Sequence, residues 1–120
     1  MKKKVIIVDD NKPCREIIKK IIEGNSTIKV IEATNGKQAL NLLQNNPFDL
    51  LITDVRMPEM NGIELIDKLR ESGSSIPIIV FSGVLNHDNR EYLNAQKAVQ
   101  IIEKPFSIET LAGTVVNIVS

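Results

Sequence analysis

Asp9 and Asp10 stand side by side after the stretch "KVIIV", Asp54 closes "FDLLITD", Ser82 is next to last in "IPIIVFSG", and Lys104 follows "VQII" within "EKPF". Three carboxylates brought together without a cation repel one another, and each is pushed toward protonation. A hard divalent ion relieves that repulsion. Magnesium takes oxygen ligands and keeps several waters, so two or three carboxylates plus a main-chain carbonyl make a plausible site. A lysine adds a second positive group and a serine hydroxyl adds a donor. The set describes an aspartate that accepts a phosphoryl group: the carboxylate attacks in line, and metal and lysine neutralise the equatorial oxygens.

Such chemistry requires elements that carry these residues to one place. Residues 4–8 read as a strand, Lys4 followed by the continuous β-branched run 5–8, suited to a parallel sheet covered on both faces. Residues 12–24 follow with Ile17, Ile18, Ile21 and Ile22 at helical spacing and Gly24 as the expected C-terminal cap. Residues 28–33 read as a second strand. A helix capped by Asn35 and running to Asn45 buries Ala39, Leu40 and Leu43. Residues 48–54 form a third strand, and "RMPEMNG" is a loop punctuated by Pro58 and Asn61-Gly62. A helix over 63–72, carrying Ile63, Ile66, Leu69 and Arg70, ends at Gly73. Residues 76–83 form a fourth strand, 88–96 a more polar helix and 99–102 a fifth strand. Ser107 caps a last helix with Ile108, Leu111, Ala112, Val115, Ile118 and Val119 facing inward.

Strands alternating with helices predict an α/β fold with a parallel sheet and right-handed crossovers. In such a sheet ligands bind beyond the carboxyl ends of the strands. Those ends are where Asp9, Asp10, Asp54, Ser82 and Lys104 fall.

Composition narrows the alternatives. At 120 residues the chain is expected to be a single domain spanning 1–120. Fifteen basic and fifteen acidic side chains cancel, which argues against direct nucleic-acid binding. No apolar run nears the ~20 residues that cross a bilayer, and the aspartates after the first apolar run are wrong for a signal peptide. The single Cys14 has no disulfide or metal partner, so a reducing cytoplasm is expected.

In this order and spacing, "VDD", "LLITDVRMPEMNG", "PIIVFSG" and "EKPF" resemble the receiver domain of bacterial two-component response regulators over essentially the whole chain. Arg15 also stands where that family often keeps an arginine. The resemblance implies a flavodoxin-like doubly wound sheet of order 2-1-3-4-5. It implies that Asp54 is the phospho-acceptor, and that Asp10, Asp54 and the Arg56 carbonyl bind magnesium (or manganese) directly, with Asp9 acting mostly through water. Lys104 would contact the phosphoryl group or pair with Asp54 in its absence, and Ser82 would move toward the phosphoryl oxygens. The Lys104–Pro105 bond would be cis. The implied partners are a sensor histidine kinase or histidine phosphotransfer protein, and a downstream target or output domain. The role is signalling rather than turnover of a metabolite.

The chain departs from the family's pattern in places. Ile101 stands where Tyr or Phe is usual, so it has no ring to swing inward. "NAQKAVQ" lacks the usual glycine-alanine pair. Gly83 keeps the usual small residue after Ser82, and Arg56 and Val84 occupy positions that tune dephosphorylation. A phosphorylation-independent adaptor is the alternative that Ile101 favours. A haloacid-dehalogenase-type phosphatase wants an aspartate where Arg56 stands. Flavin binding lacks aromatic partners, with no tryptophan and one tyrosine. The remaining polar and sulfur residues have ordinary readings: His87 in a loop, Cys14 as a plain thiol, Met57 and Met60 packed or in the loop, Tyr92 half-exposed on a helix.

Overall fold

The computed structural model describes residues 2–57, 59–83 and 85–120. Pro58 and Val84, expected to punctuate a loop and to tune dephosphorylation, lie outside the described residues. Among the described residues, five strands form one parallel sheet: β1 (Lys3–Val8), β2 (Ile28–Ala33), β3 (Leu50–Asp54), β4 (Ile78–Ser82) and β5 (Val99–Glu103). Their order is β2-β1-β3-β4-β5, as expected. The crossovers are α1 (Lys12–Glu23), α2 (Gly36–Asn45), α3 (Gly62–Glu71) and α4 (His87–Ala95), and α5 (Ile108–Val119) follows the last strand.

Successive side chains of a strand point to opposite faces, and the core divides accordingly. Val5, Ile7, Leu50, Ile52, Ile79 and Phe81 pack with Ile18 and Ile22 of α1 and with Leu111 and Val115 of α5. Ile6, Val8, Leu51, Ile78 and Val80 pack with Ala39 of α2, Leu65, Ile66 and Leu69 of α3 and Leu93 of α4. Both faces of the sheet are thus covered, which explains why the strands read as continuous apolar runs. The register aligns Val8 with Thr53, Asp54 with Phe81 and Ser82 with Glu103. That alignment leaves the carboxyl ends of four strands level with one another.

Several local details differ from the sequence reading. The cap of α1, which the sequence left unassigned, is Asn11, its Oδ1 accepting from the Cys14 N–H at 3.0 Å. Asn61 and Asn86 cap α3 and α4 in the same way, and His87 therefore opens a helix rather than sitting in a loop. Gly24 caps α1 with ordinary right-handed dihedrals, whereas Gly73, after α3, takes a φ of +89° that favours glycine. β3 starts at Leu50, because the Asp49 carboxylate turns to accept from the Lys4 N–H at 2.8 Å. β4 starts at Ile78, after Pro77, which has no N–H for the ladder. Ile108 was expected to face inward and is 62% exposed, as is much of Ile17 at 57%. Each lies at the rim of the α1–α5 seam, where solvent replaces the core.

Candidate functional site

Asp54 ends β3 and Lys104 follows β5, and their side chains meet: Lys104 Nζ donates to Asp54 Oδ2 at 2.9 Å. Burial works to lower the lysine's pKa, yet the hydrogen bond and charge of Asp54, reinforced by Asp9, hold it above the ordinary value. The main chain fixes Lys104 too, since its N–H donates to the Ser82 carbonyl at 2.8 Å. The Lys104–Pro105 bond is cis. Phe106, two residues on, stacks on Phe81 of β4 with ring centroids 4.7 Å apart, which fastens the exit loop to the sheet. Asp54, Ser82, Gly83 and Lys104 line one cleft of about 270 Å³, together with Val55 and Arg56. Gly83 offers open space where a side chain would stand, so the cleft is not blocked from that side.

The end of β3 is held with little slack. Thr53, fully buried, donates its hydroxyl to the Asp54 carbonyl at 2.9 Å, and the Arg56 N–H donates to Asp54 Oδ1 at 3.3 Å. The start of α3 presses on the same peptide. A Cβ at Gly62 would lie 2.3 Å from the Asp54 carbonyl oxygen, so only glycine fits without a shift.

Asp9 is 3% exposed, and its Oδ1 accepts from the Asn11 N–H at 2.9 Å. Burial raises its pKa first of all; the Asn11 bond and Lys104 oppose the rise, and the charges of Asp54 and Asp10 add to it. Asp10 is exposed and faces a second cleft of about 650 Å³ beside the first. Among the described residues, no three carboxylate, imidazole or thiol groups close into a metal cage. A small hard cation still suits the donors: every candidate ligand is an oxygen, the carboxylates repel one another, and magnesium completes its shell with water.

Each sequence-predicted residue thus lies at the same sheet edge, with Asp54, Ser82 and Lys104 in one cleft, Asp10 in its neighbour, Arg56 lining both, and Asp9 buried in the groove that it shares with Lys104. Sequence reasoning missed Asn61, Leu85, Asn86 and Asn89, which also line the larger cleft. The asparagines at the two helix starts were the available signal. Tyr92 is half-exposed on α4 and Arg70 lies on α3, as expected, but their contacts were not foreseen: the Tyr92 hydroxyl donates to Asp67, and Arg70 donates to the Ser74, Ile76 and Lys97 carbonyls and clasps two turns. Met57 and Met60 are both buried in the core beside the loop.

A family model described as the response regulator receiver domain matches residues 5–116. The chain is 36% identical over 120 residues to the protein-glutamate methylesterase/protein-glutamine glutaminase of Clostridium acetobutylicum, covering 95% of this chain and 35% of that protein. It is 41% identical over 85 residues to the nitrate/nitrite response regulator protein NarL of Escherichia coli K12, covering 70% of this chain and 39% of that one. The chain thus spans less than half the length of these curated relatives. Among solved structures, the receiver domain of Francisella response regulator 1452 matches with a TM-score of 0.87 at 33% identity, over 97% of this chain and 95% of that one.

Proposed function

The chain belongs to the response regulator receiver family of two-component signalling, and from that premise we propose that Asp54 accepts a phosphoryl group from a phosphohistidine. The observation that carries this reading is the Asp54–Lys104 pair, set in a cleft with Ser82 and flanked by Asp9. An Asp54 oxygen attacks phosphorus as the bond from phosphorus to the donor's imidazole nitrogen breaks. The electron pair leaves with the imidazole, and an aspartyl phosphate forms. Lys104 follows the transferred group, exchanging its carboxylate partner for phosphoryl oxygens, and the Ser82 hydroxyl donates to another of them. Asp9, Asp10, Asp54 and the Arg56 carbonyl would hold a magnesium ion, or manganese in its place, which supplies positive charge to the phosphoryl oxygens.

The donor is a sensor histidine kinase or a histidine phosphotransfer protein. A groove of about 340 Å³, lined by Ile17, Ile21, Phe106 and Ile108, runs along α1 to Lys104, and a helical donor fits its apolar walls. The phosphorylated form changes its affinity for a target protein or an output domain. Its setting is the cytoplasm, and its role is to signal; among the described residues no helix is long and apolar enough to cross a membrane. Acetyl phosphate with magnesium should add one hydroxylamine-labile phosphoryl group, and a chelator should prevent it. No addition from either acetyl phosphate or a phosphohistidine donor would refute the reading.

A further inference from the structure

Arg15 is the one buried arginine among the described residues, at 7% exposed, and it lines neither cleft at the sheet edge. Its Nη1 donates to the main-chain carbonyl of Asp9 at 2.6 Å, a short charge-assisted bond. Its Nε meets Glu32 Oε1 of β2 at 3.3 Å, and the other Glu32 oxygen lies 3.8 Å from Lys19 Nζ. On the opposite side the Asp9 N–H donates to the Ala33 carbonyl at 3.3 Å. Asp9 is therefore gripped through both of its main-chain groups.

The peptide joining Asp9 to Asp10 is planar, so fixing the Asp9 carbonyl fixes the direction in which the chain enters Asp10. Asp10 itself is exposed at the rim of the larger cleft. Its placement there thus depends on the peptide before it. We propose that Arg15 is a positioning residue for the acidic pair: anchored by Glu32, it orients the Asp9–Asp10 peptide so that both carboxylates face a divalent cation. This rests on the receiver reading above and adds Arg15 and Glu32 as the supports of its metal half. Partners that orient ligands from behind typically matter about 10–100-fold in metal affinity.

The test is calorimetric titration of magnesium into the intact chain, with the Asp10 amide followed by NMR. Arg15→Met should weaken magnesium affinity by about tenfold or more, and Glu32→Gln, which leaves Arg15 in place but unanchored, by a smaller factor. Arg15→Lys keeps the charge without the fork and should fall between native and Arg15→Met. Ile18→Val, a core change on the same helix, serves as the control: it lowers the unfolding temperature and should leave magnesium affinity unchanged. Native-like magnesium affinity in both Arg15→Met and Glu32→Gln overturns the proposal, as does an equal loss in Ile18→Val, which would mark the effect as general destabilisation. Should Arg15→Met fail to fold, Arg15→Lys and Glu32→Gln decide the matter by the same criterion. A native chain that binds no magnesium overturns the proposed magnesium-dependent phosphorylation, and this inference with it.

Discussion

Lys104 Nζ lies 2.9 Å from Asp54 Oδ2, although 50 residues separate the two in the chain. The register of β3, β4 and β5 makes the meeting possible, and the stacked Phe81 and Phe106 hold the lysine's loop against the sheet. On the proposed reading, the pair keeps the acceptor beside the cation that would stabilise its product. Lys104→Met should therefore lower the rate of phosphoryl uptake by about 10²-fold or more, as for loss of a donor aimed at developing charge. Stability should change by ~1 kcal/mol or less, because the lysine is a third exposed and solvent screens the pair. Stopped-time phosphorylation and urea unfolding check both halves; an unchanged rate would contradict the role assigned to the lysine.

Gly62→Ala tests the packing behind Asp54. The new Cβ would meet the Asp54 carbonyl at 2.3 Å, so the end of β3 or the start of α3 must move. The expected cost is about 1–3 kcal/mol, the usual range for overpacking, with slower phosphoryl uptake at temperatures where the variant stays folded. Native stability in urea would show that the helix start yields freely.

Tyr92 offers a pH signature because it is the chain's one tyrosine. Burial, then the hydrogen bond and charge of Asp67, push its phenol up to about 12. Since the folded pKa is raised above the ordinary 10.0, the contribution to stability is complete below pH 10 and is lost as pH rises toward 12. Tyrosinate absorbance should titrate late in the native chain and earlier in Asp67→Asn. A midpoint near the ordinary value in the native chain would contradict the clasp between α3 and α4.

Ile101 bears on how the signal leaves the site. It lies in β5 and packs with the α3–α4 side of the core, with no ring to reorient. Ser82 instead leads directly toward Asn86, the cap of α4, and Arg90 ties that helix to Glu103 of β5 at 2.7 Å. Phosphorylation should change amide exchange chiefly between Ser82 and the first turn of α4, with little change at Ile101. Unchanged exchange around both β4 and β5 would favour an adaptor indifferent to phosphorylation.

Much of this was legible in the residues. Continuous apolar strands ending in Asp, Asp, Ser and Lys announce a parallel sheet with a polar edge, because only burial on both faces tolerates such runs. The helix starts were less legible: Asn11, Asn61 and Asn86 were hidden among neighbours that could cap equally well, and only main-chain geometry decides between them. Ile108 misled because helical spacing gives a stripe but not its depth, and a rim position looks the same in sequence as a core one. Contacts between distant side chains, such as Arg15 with Glu32 or Tyr92 with Asp67, leave no pattern in one sequence at all.

Everything proposed for the site depends on Asp54 as the acceptor, and the intact mass of native and Asp54→Asn chains after acetyl phosphate and magnesium tests it most directly. The native chain should gain the mass of one phosphoryl group, and Asp54→Asn should gain none. The same adduct on Asp54→Asn would place the phosphoryl group elsewhere and contradict the assignment.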